Sequence, residues 1–254
     1  MCWELAGQEL VADWQRDRAI VQLDKKGTTL LSGWTNGTKT GHAQEVAERK
    51  SSDERRDEIV RATLRLVARK GFAGVTLREV ATEVGVVHGL IRHYFTTRDE
   101  LVAAAFDFAV SSELDSDRAL LEGLDPLIAL TAWLASTPED HSRVWIDAWS
   151  EAVRTPALAA ALDRHHRDCE RILIGLIERV VSAGLGVSVD PAADSRLLTA
   201  VADGVAVQHH AVGVIGVEEA NAIVFGLAER QLGLTPGSLA RVIPAPARGQ
   251  WAVG

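Results

Sequence analysis

Residues 76–95, TLREVATEVGVVHGLIRHYF, constrain this chain more than any other stretch. They read as two short helices around a tight turn. Thr76 and Glu79 stand in capping-box spacing, which sets where the first helix starts. Val80, Ala81 and Val84 give it one apolar face. Gly85 ends it, because a left-handed backbone costs little only where there is no Cβ. The second helix, residues 87–94, turns Leu90 and Ile91 inward. Ala81, Gly85 and Ile91 then suit a helix-turn-helix: a small residue where two helices touch, a glycine in the turn and a branched anchor beyond. The outer face of the second helix carries His88, Gly89, Arg92 and His93, a donor-rich surface suited to a DNA major groove.

The flanks add to this. Residues 56–71 form a helical run ending in RKGF, and HYFTTRDELVAAAF follows the two-helix unit. In this order the chain resembles the TetR family of bacterial transcriptional regulators over about residues 53–110. The matching residues are Gly71-Phe72, Thr76, Gly85-Val86, Gly89, Ile91, Tyr94-Phe95 and Arg98 through Leu101. Two positions depart from the family pattern. Val87 stands where the family has a capping Ser, at a cost of about 1 kcal/mol. Arg92 stands where it has Tyr, which adds a charge facing DNA. The wording HGLIRHYF is most similar to the BetI-type branch, whose founding members answer to choline.

The resemblance implies an all-α chain. A three-helix helix-turn-helix domain over residues 51–98 would precede a helical effector and dimerisation domain over residues 99–234. It also implies a homodimer on a palindromic double-stranded operator, a repressor released by a small molecule. Phosphate contacts are expected from Thr76, Tyr94 and Arg98, with Arg78 also at the DNA surface. Base contacts are expected from His88, Gly89, Leu90, Arg92 and His93.

A net charge of −8 argues against nucleic acid, but its distribution does not. Residues 49–98 hold 11 Lys and Arg against 6 Asp and Glu, out of 27 and 35 in the whole chain. A basic module on an acidic body is the footprint of a DNA reader with a separate second domain. The bland alternative is that Arg55, Arg61, Arg65 and Arg69 solvate the first helix beside Asp57 and Glu58. Two cysteines, Cys2 and Cys169, are too few for a disulfide framework, so a reducing cytoplasm is expected. No run reaches the roughly eighteen apolar residues of a membrane span, and MCWELAGQEL lacks the pattern of a secretory signal.

Residues 1–50 fit nothing in the family pattern and are expected to be a poorly ordered extension. Ser51 and Glu54 cap the first helix, whose inner stripe is Ile59, Ala62, Leu66 and Val67. Thr97 and Glu100 open the fourth helix, expected to run to about Ser112 with Leu101, Ala104, Ala105 and Phe108 inward. Beyond it, Asp125-Pro126, Thr137-Pro138, Thr155-Pro156 and Asp190-Pro191 each mark a helix start. The first, third and fourth are expected to end near Ser136, Gly184 and Val214, the second carries Val144, Trp145, Ala148, Trp149 and Ala152 on one face, and residues 218–232 form another helix. Residues 235–254 are expected to be a flexible tail.

Two apolar stripes lie near the end, and the resemblance, in which the last two helices pair with their copies, implies a dimer seam there with Leu198, Val201, Val205, Val212, Ile223, Val224 and Leu227 at its centre. The alternative is that they complete the protomer's own core. Trp133, Trp145 and Trp149, with His165 and Cys169, sit in the middle helices, where the resemblance implies an effector pocket. Tryptophan faces suit an apolar ligand or a quaternary ammonium. Tryptophans at helical spacing also serve as plain core. The pairs His165-His166 and His209-His210 diverge by about 100° on a helix, so neither pair chelates one ion, and no metal or cofactor is expected. The chain lacks a Walker loop, a nucleophile elbow and an HExxH motif. Two other readings stay open at this stage: an all-helical small-molecule enzyme with a chance helix-turn-helix, and a family member acting through protein contacts without DNA.

Overall fold

The structure, a computed structural model, describes residues 51–135 and 139–242. The extension over residues 1–50, the Thr137-Pro138 cap and the last part of the expected tail lie outside the described residues. The described residues contain helices and no strand.

The three expected capping boxes are all formed. Ser51 with Glu54 opens α1 (Ser52–Lys70), Thr76 with Glu79 opens α2 (Leu77–Val84), and Thr97 with Glu100 opens α4 (Arg98–Glu122). Between α2 and α4 lies α3 (His88–Tyr94). Gly85 closes α2 with φ 77° and ψ 35°, the left-handed geometry that the turn requires. Val87 precedes α3 and supplies no side-chain cap. Ile91 has no exposed surface, and it joins α3 to the apolar cluster that also holds residues of α1 and α2.

The fourth helix runs 25 residues, well past Ser112, or about 37 Å at 1.5 Å per residue. Helix formers such as Leu114, Arg118, Ala119 and Leu120 carry it on. Its inner stripe also differs from expectation. Phe106 is fully buried, whereas Ala104 and Phe108 are only half-buried. The ring of Phe106 meets Phe72 edge-on at 6.1 Å and Trp145 at 5.2 Å, so it occupies the joint between the amino-terminal helices and the body.

The body continues with α5 (Pro126–Leu134), α6 (Glu139–Ala152) and α7 (Pro156–Ser182). It then has α8 (Pro191–Ala206), α9 (Val217–Gln231) and the short α10 (Ser238–Val242). Asp125 caps α5 through the Leu127 amide at 2.9 Å, and Asp190 caps α8 through the Ala193 amide at 3.0 Å. Thr155 makes no such cap, and its hydroxyl donates to Glu151 at 3.0 Å. The helix expected to reach Val214 leaves α geometry at Val207 and ends in a π-helical segment, Val207–Val212, closed by Gly213 at φ 70°.

Two apolar clusters fill the interior. One joins α1–α3 to the first half of α4 and to α6 and α7; the other lies among α5, α8, α9 and the far ends of α4 and α7. Helices α4 and α7 therefore run through both. Two expectations are corrected here. Residues 235–242 are not flexible tail: Leu239 is fully buried, and the Glu229 carboxylate accepts from the Gly237 and Leu239 amides at 2.7 and 2.9 Å. Leu198, Val205 and Val224, assigned to the seam, are at most 6% exposed within the protomer and belong to its core.

Candidate nucleic-acid interface and effector cavity

On α3 the inward Ile91 leaves His88, Gly89, Arg92 and His93 exposed, with Leu90 and Tyr94 half-buried. His93 and Tyr94 meet edge-on at 5.2 Å. The neighbouring cations divide into two sets. Arg65 and Arg69 reach across from α1 to Glu83 on α2 at 3.0 and 2.6 Å, and Lys70 pairs with Glu79 at 2.5 Å. Arg55 and Arg61 pair along α1 with Glu58 and Asp57 at 2.6 and 3.8 Å. Hydrogen bonds from Arg69 and then Arg65 hold the Glu83 carboxyl below its ordinary range. These basic residues bolt α1 to α2 or decorate α1. Arg78 and Arg92, by contrast, are exposed, and their side chains make no ion pair or hydrogen bond among the described residues. Thr76 is exposed, but its hydroxyl is engaged on both sides. It donates to Glu79 at 2.7 Å and accepts from the Glu79 amide at 3.3 Å.

Arg98, expected to touch phosphate, is turned inward instead. Its guanidinium donates from Nε to the Val75 carbonyl at 3.1 Å and from Nη2 to the Phe72 carbonyl. Nη1 pairs with Glu151 of α6 at 2.9 Å and with Asp99 at 3.2 Å. Beside it, Asp147 of α6 accepts the Phe72 amide at 2.5 Å. A Cβ on Gly71, held at φ 75°, would come within 2.9 Å of that Asp147 carboxylate. The Gly71–Phe72 loop is thus clamped between α4 and α6. Burial pushes the Glu151 carboxyl up, but hydrogen bonds from Arg154, Thr155 and Arg98 outweigh it and hold the group below its ordinary range. The physical reason for the correction is acceptor density: two carbonyls and a buried carboxylate meet at one point, and the planar guanidinium fork satisfies all three.

A cavity of about 480 Å³ lies among α4–α8 and the π-helical segment. Trp133, Trp145, Trp149 and Cys169, grouped together in the sequence reading, all line it. His165 does not. Its Nε2 sits 2.8 Å from Asp107 of α4, and its ring packs edge-on against Phe106 at 5.7 Å. His166 lines the cavity instead, edge-on to Trp149 at 5.8 Å. The sequence-level assignment missed the acidic part of the wall: Glu113 and Asp117 of α4 and Asp203 of α8. A signal was present, since Val110, Glu113, Leu114 and Asp117 recur at helical spacing and place two carboxylates on an apolar stripe. Burial pushes the Asp203 carboxyl above its ordinary range, with His166 pulling the other way.

With Leu198, Val205 and Val224 inside, the outer surface of the last long helices carries a different apolar set. Leu197 and Ile223 are 41% and 40% exposed, Val212 is 66% exposed, and Val201 and Leu227 are half-buried.

Residues 59–105 match the family model for bacterial regulatory proteins of the tetR family, and residues 127–233 match that for the BetI-type transcriptional repressor, C-terminal. The HTH-type transcriptional regulator BetI of Paraburkholderia phytofirmans is 30% identical over 112 residues, covering 41% of this chain and 57% of that protein. The HTH-type transcriptional regulator PksA of Bacillus subtilis is 43% identical over 53 residues, covering 21% of this chain and 26% of that protein. The chain thus spans little more than half the length of the first relative and about a quarter of the second. Among solved structures, a TetR transcription regulator from Haloarcula marismortui superposes with a TM-score of 0.63 at 24% identity, over 71% of this chain and 99% of that one. A protein of Saccharomonospora viridis, described as a transcriptional regulator in complex with choline, gives 0.63 at 21% identity, over 71% and 98%. Both structures share the fold. Matched in its amino-terminal and its carboxy-terminal half, the chain belongs to the TetR family of bacterial regulatory proteins, with a carboxy-terminal domain of the BetI type.

Proposed function

We propose that this protein is a sequence-specific DNA-binding transcriptional regulator. In this reading it acts as a homodimer in the cytoplasm, represses from a palindromic operator, and is released when a small molecule fills the cavity. It binds its ligands and transforms none of them. The observation that carries the reading is the outer face of α3. A buried Ile91 fixes the helix, and Arg92, His88 and His93 stand exposed beside Gly89, whose missing side chain lets a backbone come close. Arg92 is the group with bidentate geometry for a guanine edge. The unpaired Arg78 on α2 supplies charge toward the DNA backbone. One such helix reads too few bases for a unique site. Two of them, about 34 Å apart on a two-fold axis, read two half-sites. The outward apolar surface of α8 and α9 with Leu197 and Ile223 supports pairing of two protomers there.

The test is a mobility shift with the DNA upstream of the protein's own gene against unrelated DNA of the same length. Preferred binding to one upstream segment with two inverted half-sites is expected. Equal, weak binding to both DNAs would overturn sequence-specific regulation. Absence of any DNA binding would favour a family member that works through protein contacts.

A further inference from the structure

We propose that Val87 reads the C5-methyl group of one thymine in each operator half-site, an apolar contact beside the polar ones expected from His88, Arg92 and His93. The inference rests on the proposed DNA-binding function and adds a specificity-determining residue to it.

Position is the first ground. Val87 is the residue on which α3 begins, and the amino-terminal residues of a recognition helix are those that meet base edges in the major groove. Its carbonyl accepts the Leu90 amide at 2.9 Å, which ties it to the helix. Its own backbone is extended, with φ −71° and ψ 142°, so its side chain does not follow the inward face that Ile91 sets one turn further on. That side chain is 77% exposed, although Val84 and Val86 just before it are packed against the core. A Cβ added to Gly85 or Gly89, on either side, would meet nothing within 4 Å, so the space around this tip is open to a base edge.

Chemistry is the second ground. An isopropyl group neither donates nor accepts a hydrogen bond. Among the four bases the major groove offers it one apolar feature, the thymine methyl. The placement has two costs in the free protein: α3 lacks a side-chain cap, and two methyl groups stay in water. Packing against a thymine methyl offsets the second of these.

Isolation decides between DNA and a protein as the partner of this side chain. Among the described residues, Val87 is the one large apolar side chain exposed before Trp149. A protein interface has a core of several apolar side chains, which the reading head does not present around Val87. A thymine methyl is covered by a single branched side chain. The exposed neighbours of Val87, His88 and Gly89 on α3, belong to the same base-facing surface.

The experiment uses the full chain and the upstream DNA segment preferred in the mobility shift. Each thymine of one half-site is replaced in turn by deoxyuridine, which lacks only the C5-methyl. Burying one methyl group changes a binding constant by about fourfold. Wild type is therefore expected to lose about fourfold in affinity at one thymine position and little at the others. Val87→Ala should bind the thymine and deoxyuridine versions of that position alike. Val87→Ser, which removes both methyl groups but supplies a capping hydroxyl, should lose the same discrimination while its Tm rises, so capping and reading are separated. At that position 5-methylcytosine should bind wild type about fourfold tighter than cytosine, and Val87→Ala should not distinguish the two. Both variants replace an exposed side chain, and both should melt cooperatively. If no deoxyuridine weakens wild type, or if the discrimination survives in both variants, the inference is overturned while the proposed function stands. A protein that prefers no DNA segment overturns both.

Discussion

Replacing Arg98 with Ala separates two physical roles that look alike in the sequence. A phosphate contact would sit at the DNA surface and matter little to the free protein. The observed side chain instead ties α4 to the Phe72 and Val75 carbonyls and to the Glu151 carboxylate. Hydrogen bonds from a charged donor contribute about 1.5–3 kcal/mol each. Removing one partner of a buried ion pair costs about 3–5 kcal/mol. The Arg98 side chain is 26% exposed, and Arg154 still pairs with Glu151, so water and that second arginine recover part of the loss. A net destabilisation of about 3 kcal/mol is expected, or roughly 6–12 °C in Tm for a domain of this size. Arg98→Lys keeps the charge but not the fork and should fall about halfway. Glu151→Gln should approach the Ala variant. The linkage has a definite sign: the folded Glu151 carboxyl lies below its ordinary value of 4.5, so its contribution is present above that pH and is lost as pH falls through the lower, folded value. The gap in Tm between wild type and Glu151→Gln should therefore narrow on acidification from about pH 5 to pH 3. Thermal melting with a salt series of DNA affinities decides the matter. An unchanged Tm for Arg98→Ala, with a salt slope reduced by about one, would refute the joint and restore the phosphate contact.

Arg92→Ala should remove about 1–3 kcal/mol of discrimination between operator and unrelated DNA, while Arg78→Ala should weaken both equally; competition shifts measure the ratio. Val87→Ser should gain the missing cap of α3, worth about 1 kcal/mol, and raise Tm by a few degrees; no rise would mean that Val87 is not the capping position. Asp at Leu197 together with Asp at Ile223 should give a folded monomer by light scattering, whereas Val205→Asp should lose cooperative melting, because a buried charge without a partner costs several kcal/mol. A dimer that survives the Leu197 and Ile223 changes would move the interface off α8 and α9.

The parts legible in the sequence are those governed by local rules. Capping boxes need two side chains three residues apart, and all three formed. Gly85 needed only its own φ. The three tryptophans could be grouped because they share apolar faces of neighbouring helices. The misplaced residues are those whose role depends on what stands opposite. Arg98 begins a helix beside the reading head, where a cation is expected at phosphate, yet its acceptors lie on the Gly71–Phe72 loop and, 53 positions further along the chain, at Glu151. His165 and His166 differ only in rotation about α7, which the sequence alone leaves undetermined over so long a helix; one bonds Asp107 and the other lines the cavity. Leu198, Val205 and Val224 lie on the same two helices as the exposed Leu197 and Ile223, and an apolar stripe wide enough for two neighbours does not say which edge each neighbour takes.

Helix α4 joins these findings into one mechanical argument. Its first residue, Arg98, holds the Gly71–Phe72 loop against α6. Its Glu113 and Asp117 belong to the cavity wall, about 22–28 Å further along the same helix axis at 1.5 Å per residue. The wall opposite includes Trp145 and Trp149 of α6, and α6 also supplies Asp147 and Glu151 to the joint. Two helices thus bound the cavity and also grip the reading head. A ligand that changed the spacing of α4 and α6 would have to move the head, because the loop is bonded to both. By linkage, DNA that prefers one spacing must weaken a ligand that prefers the other by the same factor, commonly about 1–3 kcal/mol. Cutting the joint with Glu151→Gln should then leave ligand binding to the free protein nearly intact and shrink the effect of DNA on it. An unchanged coupling in that variant would place the transmission elsewhere in the protein.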